Sequence, residues 1–230
     1  MPVDPPISRR DLLGAGAGAA AGLLAQKLGA TAAPAPACTE PTVAQTEGPY
    51  YPTHDRPDED PDLTRVKGRS GRAAGEVIVV QGRVLDEACR PIAGALVEIW
   101  QANAHGRYDH EKDAVNPRPL DPNFQSWAEM STDAEGQFRF TTVKPGSYPA
   151  NNAGWVRPPH IHFRVSRRGY HELVTQMYFA GEALNEPDLI RKELAATDLT
   201  RVTVAFEPAP PPAEPGARLG VFDITLRQVG

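Results

Sequence analysis

The chain has 230 residues, 40% of them hydrophobic, which is enough to bury one full core. Its 24 basic and 29 acidic residues are interspersed and leave a net charge of −5, which excludes a basic nucleic-acid surface. The 24 prolines speak for a loop-rich globular chain.

The amino terminus differs in kind from the rest. Ser8-Arg9-Arg10-Asp11-Leu12-Leu13 leads into a Gly/Ala/Leu run to Leu28, and the small residues Ala30-Thr31-Ala32-Ala33-Pro34-Ala35 follow. A charged start, a mildly apolar stretch and small residues before a cleavage point predict an export signal over 1–35. The adjacent arginines fit the twin-arginine type and a periplasmic or secreted destination. So Gly- and Ala-rich a stretch is too weakly apolar for a permanent membrane anchor, and no span follows it. The competing reading is an Ala-rich first helix of the domain.

Two cysteines are present, Cys38 and Cys89. In an exported chain they can form a bridge tying the mature amino terminus to the first hairpin. Lipidation of Cys38 is the alternative, although Ala35-Pro36-Ala37-Cys38 is a poor lipidation motif.

Residues 36–75, rich in Pro, Gly, Asp and Arg, read as an extended arm. Within it lies Gln45-Thr46-Glu47-Gly48-Pro49-Tyr50-Tyr51-Pro52, which by itself is a turn. From Glu76 to the end the pattern is one of short strands with turn signals between them. Strands are expected at Val77–Leu85, Ala95–Trp100, Gln137–Thr142, His160–Val165, Leu173–Phe179, Arg201–Phe206 and Arg218–Leu226. A helix is expected only at Asp188–Ala196. Seven or more short strands with long loops and one short helix predict an all-β, antiparallel sandwich of the immunoglobulin or prealbumin kind over 76–230.

The stretch with the most chemistry is Arg157-Pro158-Pro159-His160-Ile161-His162-Phe163-Arg164-Val165. Successive strand side chains point to opposite faces, so His160, His162 and Arg164 share one face. Two imidazoles so spaced can hold two neighbouring positions on one metal ion, or they can form the wet face of a half-exposed strand. Tyr108 and Tyr148 lie upstream among turn residues, with no evident core to fill. Two phenolates and two imidazoles form a hard, doubly negative ligand set that suits Fe(III) better than Zn(II). His105 and His110, which flank Tyr108, read as solvent-facing.

With these residues in place the chain resembles the intradiol ring-cleavage dioxygenases, particularly the β subunits of the protocatechuate enzymes. The resemblance covers roughly 40–228. It rests on Gly82-Arg83-Val84-Leu85-Asp86, Ala95 through Asn103, Gly106-Arg107-Tyr108 and Leu120-Asp121-Pro122-Asn123-Phe124. It continues through Thr132-Asp133 to Phe140, Lys144-Pro145-Gly146, Tyr148-Pro149, Arg157 to Phe163, and Thr175-Gln176-Met177-Tyr178-Phe179. It implies ferric ligands at Tyr108, Tyr148, His160 and His162, with Tyr148 and His162 axial and a solvent hydroxide as the fifth. It implies Arg157 over the substrate ring, Gln176 beside that arginine, and Gly48, Pro49 and Tyr50 as a pocket wall. The implied reaction joins O₂ to a catechol and opens the ring between its hydroxylated carbons to a muconate. Tyr148 would take a catechol proton and Arg157 would steady the charge that develops.

Two departures bear on substrate. Ala150 stands where the pattern has Trp after the Tyr-Pro pair, and the loop 150–156 differs by about one residue. An enlarged pocket wall and a substituted catechol are the expectation, and an arm and metal site in one chain suggest a homo-oligomer. The alternatives are a non-catalytic transthyretin-like module that binds iron or another ligand, and a Zn or Cu hydrolase built on His160 and His162.

Overall fold

Val77–Asp86, ten residues of which six are Val, Ile or Leu, form the longest strand, β1. The others follow as β2 (Leu96–Trp100), β3 (Trp127–Ser131), β4 (Gln137–Val143), β5 (Tyr148–Pro149), β6 (Val156–Arg157), β7 (His160–Ser166) and β8 (Leu173–Phe179). After a seven-residue helix α1 (Ala196–Val202) come β9 (Thr203–Val204), β10 (Phe206–Pro208), β11 (Arg218–Val221) and β12 (Ile224–Leu226). This computed structural model describes residues 1, 38, 40–53, 58–150 and 154–230, so apart from Met1 the expected export signal lies outside the described residues. The chain divides into two units, Met1–Pro36 and Ala37–Gly230, and the second carries every strand named above. No helix among the described residues is long and apolar enough to cross a membrane.

Two five-stranded sheets make the sandwich. In the first, β1 pairs antiparallel with β4 on one side. On its other side it pairs parallel with β11 along Ile78–Gln81 and with β12 along Val84–Asp86. The switch from β11 to β12 happens where Gly82 meets Phe222. A Cβ on Gly82 would lie 1.9 Å from the Phe222 carbonyl oxygen, so only glycine fits there. The second sheet runs β3-β2-β7-β8-β9, antiparallel except for the short β8–β9 pairing. The expected sandwich is present, mostly antiparallel, with parallel pairings of β1 to β11 and β12 and of β8 to β9.

Alternation builds the core between the sheets. Ile78, Val80, Val84, Phe138 and Phe140 of the first sheet pack with Val97, Ile99, Ile161, Phe163 and Val165 of the second. Phe163 lies 6.1 Å from Phe138 and 5.0 Å from Phe222, ring to ring. The second half of the arm closes one side of the sandwich. The Leu63 side chain enters the core, its N–H donates to the Thr141 carbonyl, and Thr141 N–H donates to Pro61. Glu129 on the edge strand β3 donates its N–H to Glu59. Residues 59–63 therefore cover the open edges of both sheets.

The helix expected at Asp188–Ala196 is displaced. Asp188 accepts from the Arg191 N–H and that segment makes a 3₁₀ turn at Arg191–Glu193, while the α-helix begins at Ala196. Arg201 and Val202, expected in a strand, end that helix. Cys38 and Cys89 are disulfide-bonded, with Cα atoms 5.2 Å apart, as the export reading allows.

Candidate active site

The outward face of the second sheet is where the sequence-selected residues meet. The register places Trp127 beside Trp100, Trp100 beside His162, and His162 beside Gln176, a row across four strands. His160 lies opposite Tyr178 one step along. None of these side chains faces the core between the sheets, yet Trp100, His160, His162 and Gln176 are at most 2% exposed. They are buried because loops and the arm cover them from outside.

Tyr108 comes in on the loop after β2, and Tyr148 on β5, whose partner in β6 is Arg157. The two phenol rings meet edge to face with centroids 5.3 Å apart. Both side chains are buried, and the Tyr108 hydroxyl has no hydrogen-bond partner among the described residues. Tyr148 is thus a strand residue and not, as its turn-rich neighbours suggested, part of a loop. His160 Nδ1 lies 2.7 Å from the Pro158 carbonyl. A carbonyl can only accept, so the proton sits on Nδ1 and the lone pair on Nε2 is free. That Nε2 is 3.2 Å from His162 Nε2 and 3.4 Å from the Tyr148 hydroxyl oxygen. His162 is held flat against Trp100, with rings 4.8 Å apart and 7° from parallel, and its Nδ1 is buried without a partner.

The surroundings favour neutral imidazoles and protonated phenols while no cation is present. Burial and the Arg157 charge push His162 down to about 3 and His160 well below its ordinary value. Burial raises Tyr108 far above the usual phenol value, and the nearby Tyr148 adds to it. Burial also raises Tyr148, with Arg157 pulling the other way. Clustered nitrogen and oxygen donors, with phenols whose pKa values burial raises, could hold a metal cation, whose charge would favour the ionised phenols. No group of three or more His, Cys, Asp or Glu side chains able to hold a metal occurs among the described residues. A site here must draw its oxygen donors from the tyrosines.

Arg157 is 4% exposed. Its Nε donates to Asp188 at 2.8 Å, and one terminal nitrogen donates to the Gln176 side-chain oxygen at 2.6 Å. Burial works against its charge, but Tyr148, Tyr178 and Asp188 hold its pKa above the usual value. Gln176 also donates to the Thr46 carbonyl at 2.9 Å, so it ties the arginine to the arm. Asp188, Tyr178 and Gln45 complete this network, and none was singled out as a site residue by sequence reasoning. Asp188 carried one local signal, an acid able to cap the turn at Arg191.

The first half of the arm packs against these residues. Gly48 has a positive φ of 72°, and a Cβ there would sit 3.5 Å from His162 Cε1. Tyr50 stacks on Tyr108 with centroids 4.4 Å apart and meets Tyr148 edge-on at 5.8 Å. His105 is exposed, but His110 corrects the sequence expectation. It is half-buried, accepts from the Lys112 N–H at 3.0 Å and packs edge-on against Tyr50. Its neighbour Asp113 accepts from the Tyr108 N–H at 2.7 Å and so fixes that loop.

With this geometry in place, comparison with known proteins is direct. The family described as "Dioxygenase" matches residues 46–226. A protocatechuate 3,4-dioxygenase beta chain from Burkholderia cepacia is 44% identical over 182 residues, which are 78% of this chain and 76% of that one. A 6-chlorohydroxyquinol 1,2-dioxygenase from Cupriavidus pinatubonensis is 31% identical over 66% of this chain and 55% of its own. Among solved structures, the dioxygenase domain of a carbohydrate-binding fusion protein from Streptomyces sp. SirexAA-E superposes with a TM-score of 0.59. It is 29% identical and covers 83% of this chain and all of that one. The 3-chlorocatechol 1,2-dioxygenase of Rhodococcus opacus 1CP, 24% identical over 82% of this chain and 73% of its own, shares the fold with a TM-score of 0.65.

Proposed function

This chain belongs to the intradiol ring-cleavage dioxygenases, and on that premise we propose that it uses non-haem Fe(III) to open a substituted, protocatechuate-like catechol. O₂ would enter between the two hydroxylated carbons and the product would be a cis,cis-muconate. The observation that carries the reading is the convergence on His160 Nε2 of His162 Nε2 at 3.2 Å and the Tyr148 hydroxyl at 3.4 Å, beside a buried Tyr108 hydroxyl that has no hydrogen-bond partner among the described residues.

Tyr108, Tyr148, His160 and His162 would hold the iron. When bound, ferric iron ionises phenols and draws electron density from a chelated catechol, so that the ring becomes reactive toward O₂. The protein's own part is electrostatic and positional. The Tyr148 oxygen, which feels the Arg157 charge, would take up a catechol proton. Arg157 brings a fixed cation that Asp188 and Gln176 keep from turning away, ready to steady negative charge as it grows on the ring and oxygen atoms. Gly48, Pro49 and Tyr50 wall the site and keep water out. Ala150 faces Trp155 across the β5–β6 hairpin, its N–H donating to the Trp155 carbonyl at 2.8 Å. A small residue there, where the family resemblance expects Trp, would leave room for a ring substituent. Export by the twin-arginine route and assembly as a homo-oligomer are part of the same proposal.

Purified protein should be red-brown from tyrosinate–iron charge transfer and should consume O₂ with a panel of substituted catechols. A colourless protein holding stoichiometric zinc, with no oxygen uptake, would overturn the reading.

A further inference from the structure

The third member of the alternating set, Arg164, takes no part in the chemistry above. On β7 it follows His162 on the same face, and it lies opposite Glu98 of β2 and Val174 of β8. Its guanidinium sits over the Tyr51 ring, 4.0 Å from the centroid. It pairs with Glu47 of the arm and, at 3.7 Å, with Glu172. The Tyr51 hydroxyl donates to Glu98 at 2.6 Å, and the Tyr51 ring meets Trp100 edge-on at 5.0 Å. Glu98 is 9% exposed, so this carboxylate is a fixed feature of the sheet and not a mobile surface group.

These contacts bracket the pocket-wall residues. Glu47 precedes Gly48-Pro49-Tyr50 and Tyr51 follows, and both ends are gripped by side chains of the sheet. Gly48 then rests on His162 and Tyr50 on Tyr108. We propose that Arg164, with Glu98, is a positioning residue for the substrate-binding arm: it clamps Glu47 and Tyr51 and so sets where Gly48, Pro49 and Tyr50 stand over a bound catechol. The proposal rests on the reading of the site as a catechol pocket. Arginine suits the role because its flat cation can stack on a phenol ring and still offer N–H groups to a carboxylate at its edge. Lysine cannot do both.

The test uses Arg164→Ala, Arg164→Lys and Tyr51→Ala in the full chain. Hydrogen exchange of the amides of residues 45–52 should quicken in all three, in metal-free protein as well as loaded protein. In the loaded enzyme KM for the catechol should rise about tenfold in Arg164→Ala, a size set by one cation–ring contact plus one partly exposed ion pair. The charge-transfer band and kcat should change little. Arg164→Lys should recover less than half of the KM effect. Arg164→Ala and Tyr51→Ala combined should cost less than the sum of the two, because they remove one shared contact. Unchanged arm exchange in Arg164→Ala would overturn the proposal, as would equal losses in kcat and the visible band. A wild-type protein inert toward every catechol would instead count against the catechol reading, with the exchange data still deciding the clamp.

Discussion

Along β7 two sets of side chains alternate, almost equally buried and opposite in chemistry. Ile161, Phe163 and Val165 are 0% exposed, and His160 and His162 are 2% exposed. The first set is covered by the other sheet, whose apolar residues compete for nothing but space. The second is covered by Tyr108, Tyr148 and an arm that returns from before β1. Burial alone therefore does not separate scaffold from site. What separates them is the covering material: sheet on one side, polar loops and aromatic hydroxyls on the other. A sandwich has two outer faces, and this chain turns half of one into a buried interior where nitrogen and oxygen donors converge.

That contrast can be broken most sharply with a pair of neighbours. His162→Ala should abolish bound iron and turnover, a loss of more than about a hundredfold, since even groups that only support metal ligands cost 10- to 100-fold when removed. Its melting temperature in the metal-free state should stay near wild type. Phe163→Ala should do the reverse. It leaves a cavity among Phe138, Phe140 and Phe222 and should cost about 3–5 kcal/mol in urea unfolding, while the protein that remains folded keeps its charge-transfer band. If His162→Ala unfolds the protein as severely as Phe163→Ala, the outer face is a second core and the division fails.

The Arg157–Asp188 pair sharpens the comparison because it brings a core-like penalty to the outer face. Asp188 is fully buried, and its carboxylate is shared between Arg157 and the Arg191 N–H. Asp188→Asn leaves a buried guanidinium without its counter-charge and should destabilise by about 3 kcal/mol or more. Activity should fall as well, with a larger effect on kcat than on KM, because Arg157 is proposed to act on charge that appears during the reaction. An Asp188→Asn variant with normal kcat would place Arg157 in the scaffold.

How far these roles were legible follows from their range along the chain. The two faces of β7 could be read directly, since a period of two is local and only the covering was unknown. Tyr108 and Tyr148 were legible as candidates from their odd setting among turn residues and from family resemblance, but not the burial that raises the pKa of each. Asp188 was hidden because its partner lies 31 residues away, and the same partner pins the segment that composition alone would make helical. Arg164 was visible as the third alternating residue. Its contact with Glu47 spans 117 positions and depends on the path of the arm, which prolines and glycines leave undetermined in sequence. Residues 59–63, covering both sheet edges, were illegible for the same reason.

A carboxylate on neither face gives the smallest effect and the control. Asp86, at the end of β1, accepts from the Ala88 and Arg90 N–H groups and from Arg90 Nε. Burial would raise its pKa, but these hydrogen bonds and the Arg90 charge lower it below the usual value. Since the folded pKa is depressed, the ionised form stabilises the fold above the unfolded pKa of about 3.9, and that contribution disappears as pH falls through the folded pKa. Asp86→Asn should therefore be less stable than wild type at neutral pH, with the gap closing as acid protonates Asp86 in the wild type. Urea midpoints measured from pH 7 downward follow this directly, and a gap that stays constant with pH would remove Asp86 from the acid limb. At pH 7 the variant should keep its visible band and KM, because the Asp86 turn touches neither the proposed iron ligands nor the arm segment over them. A shift in the band would mean that the turn carrying Cys89 communicates with the outer face through the Cys38 bridge and the arm, and that the two faces of the sandwich are less separable than β7 alone suggests.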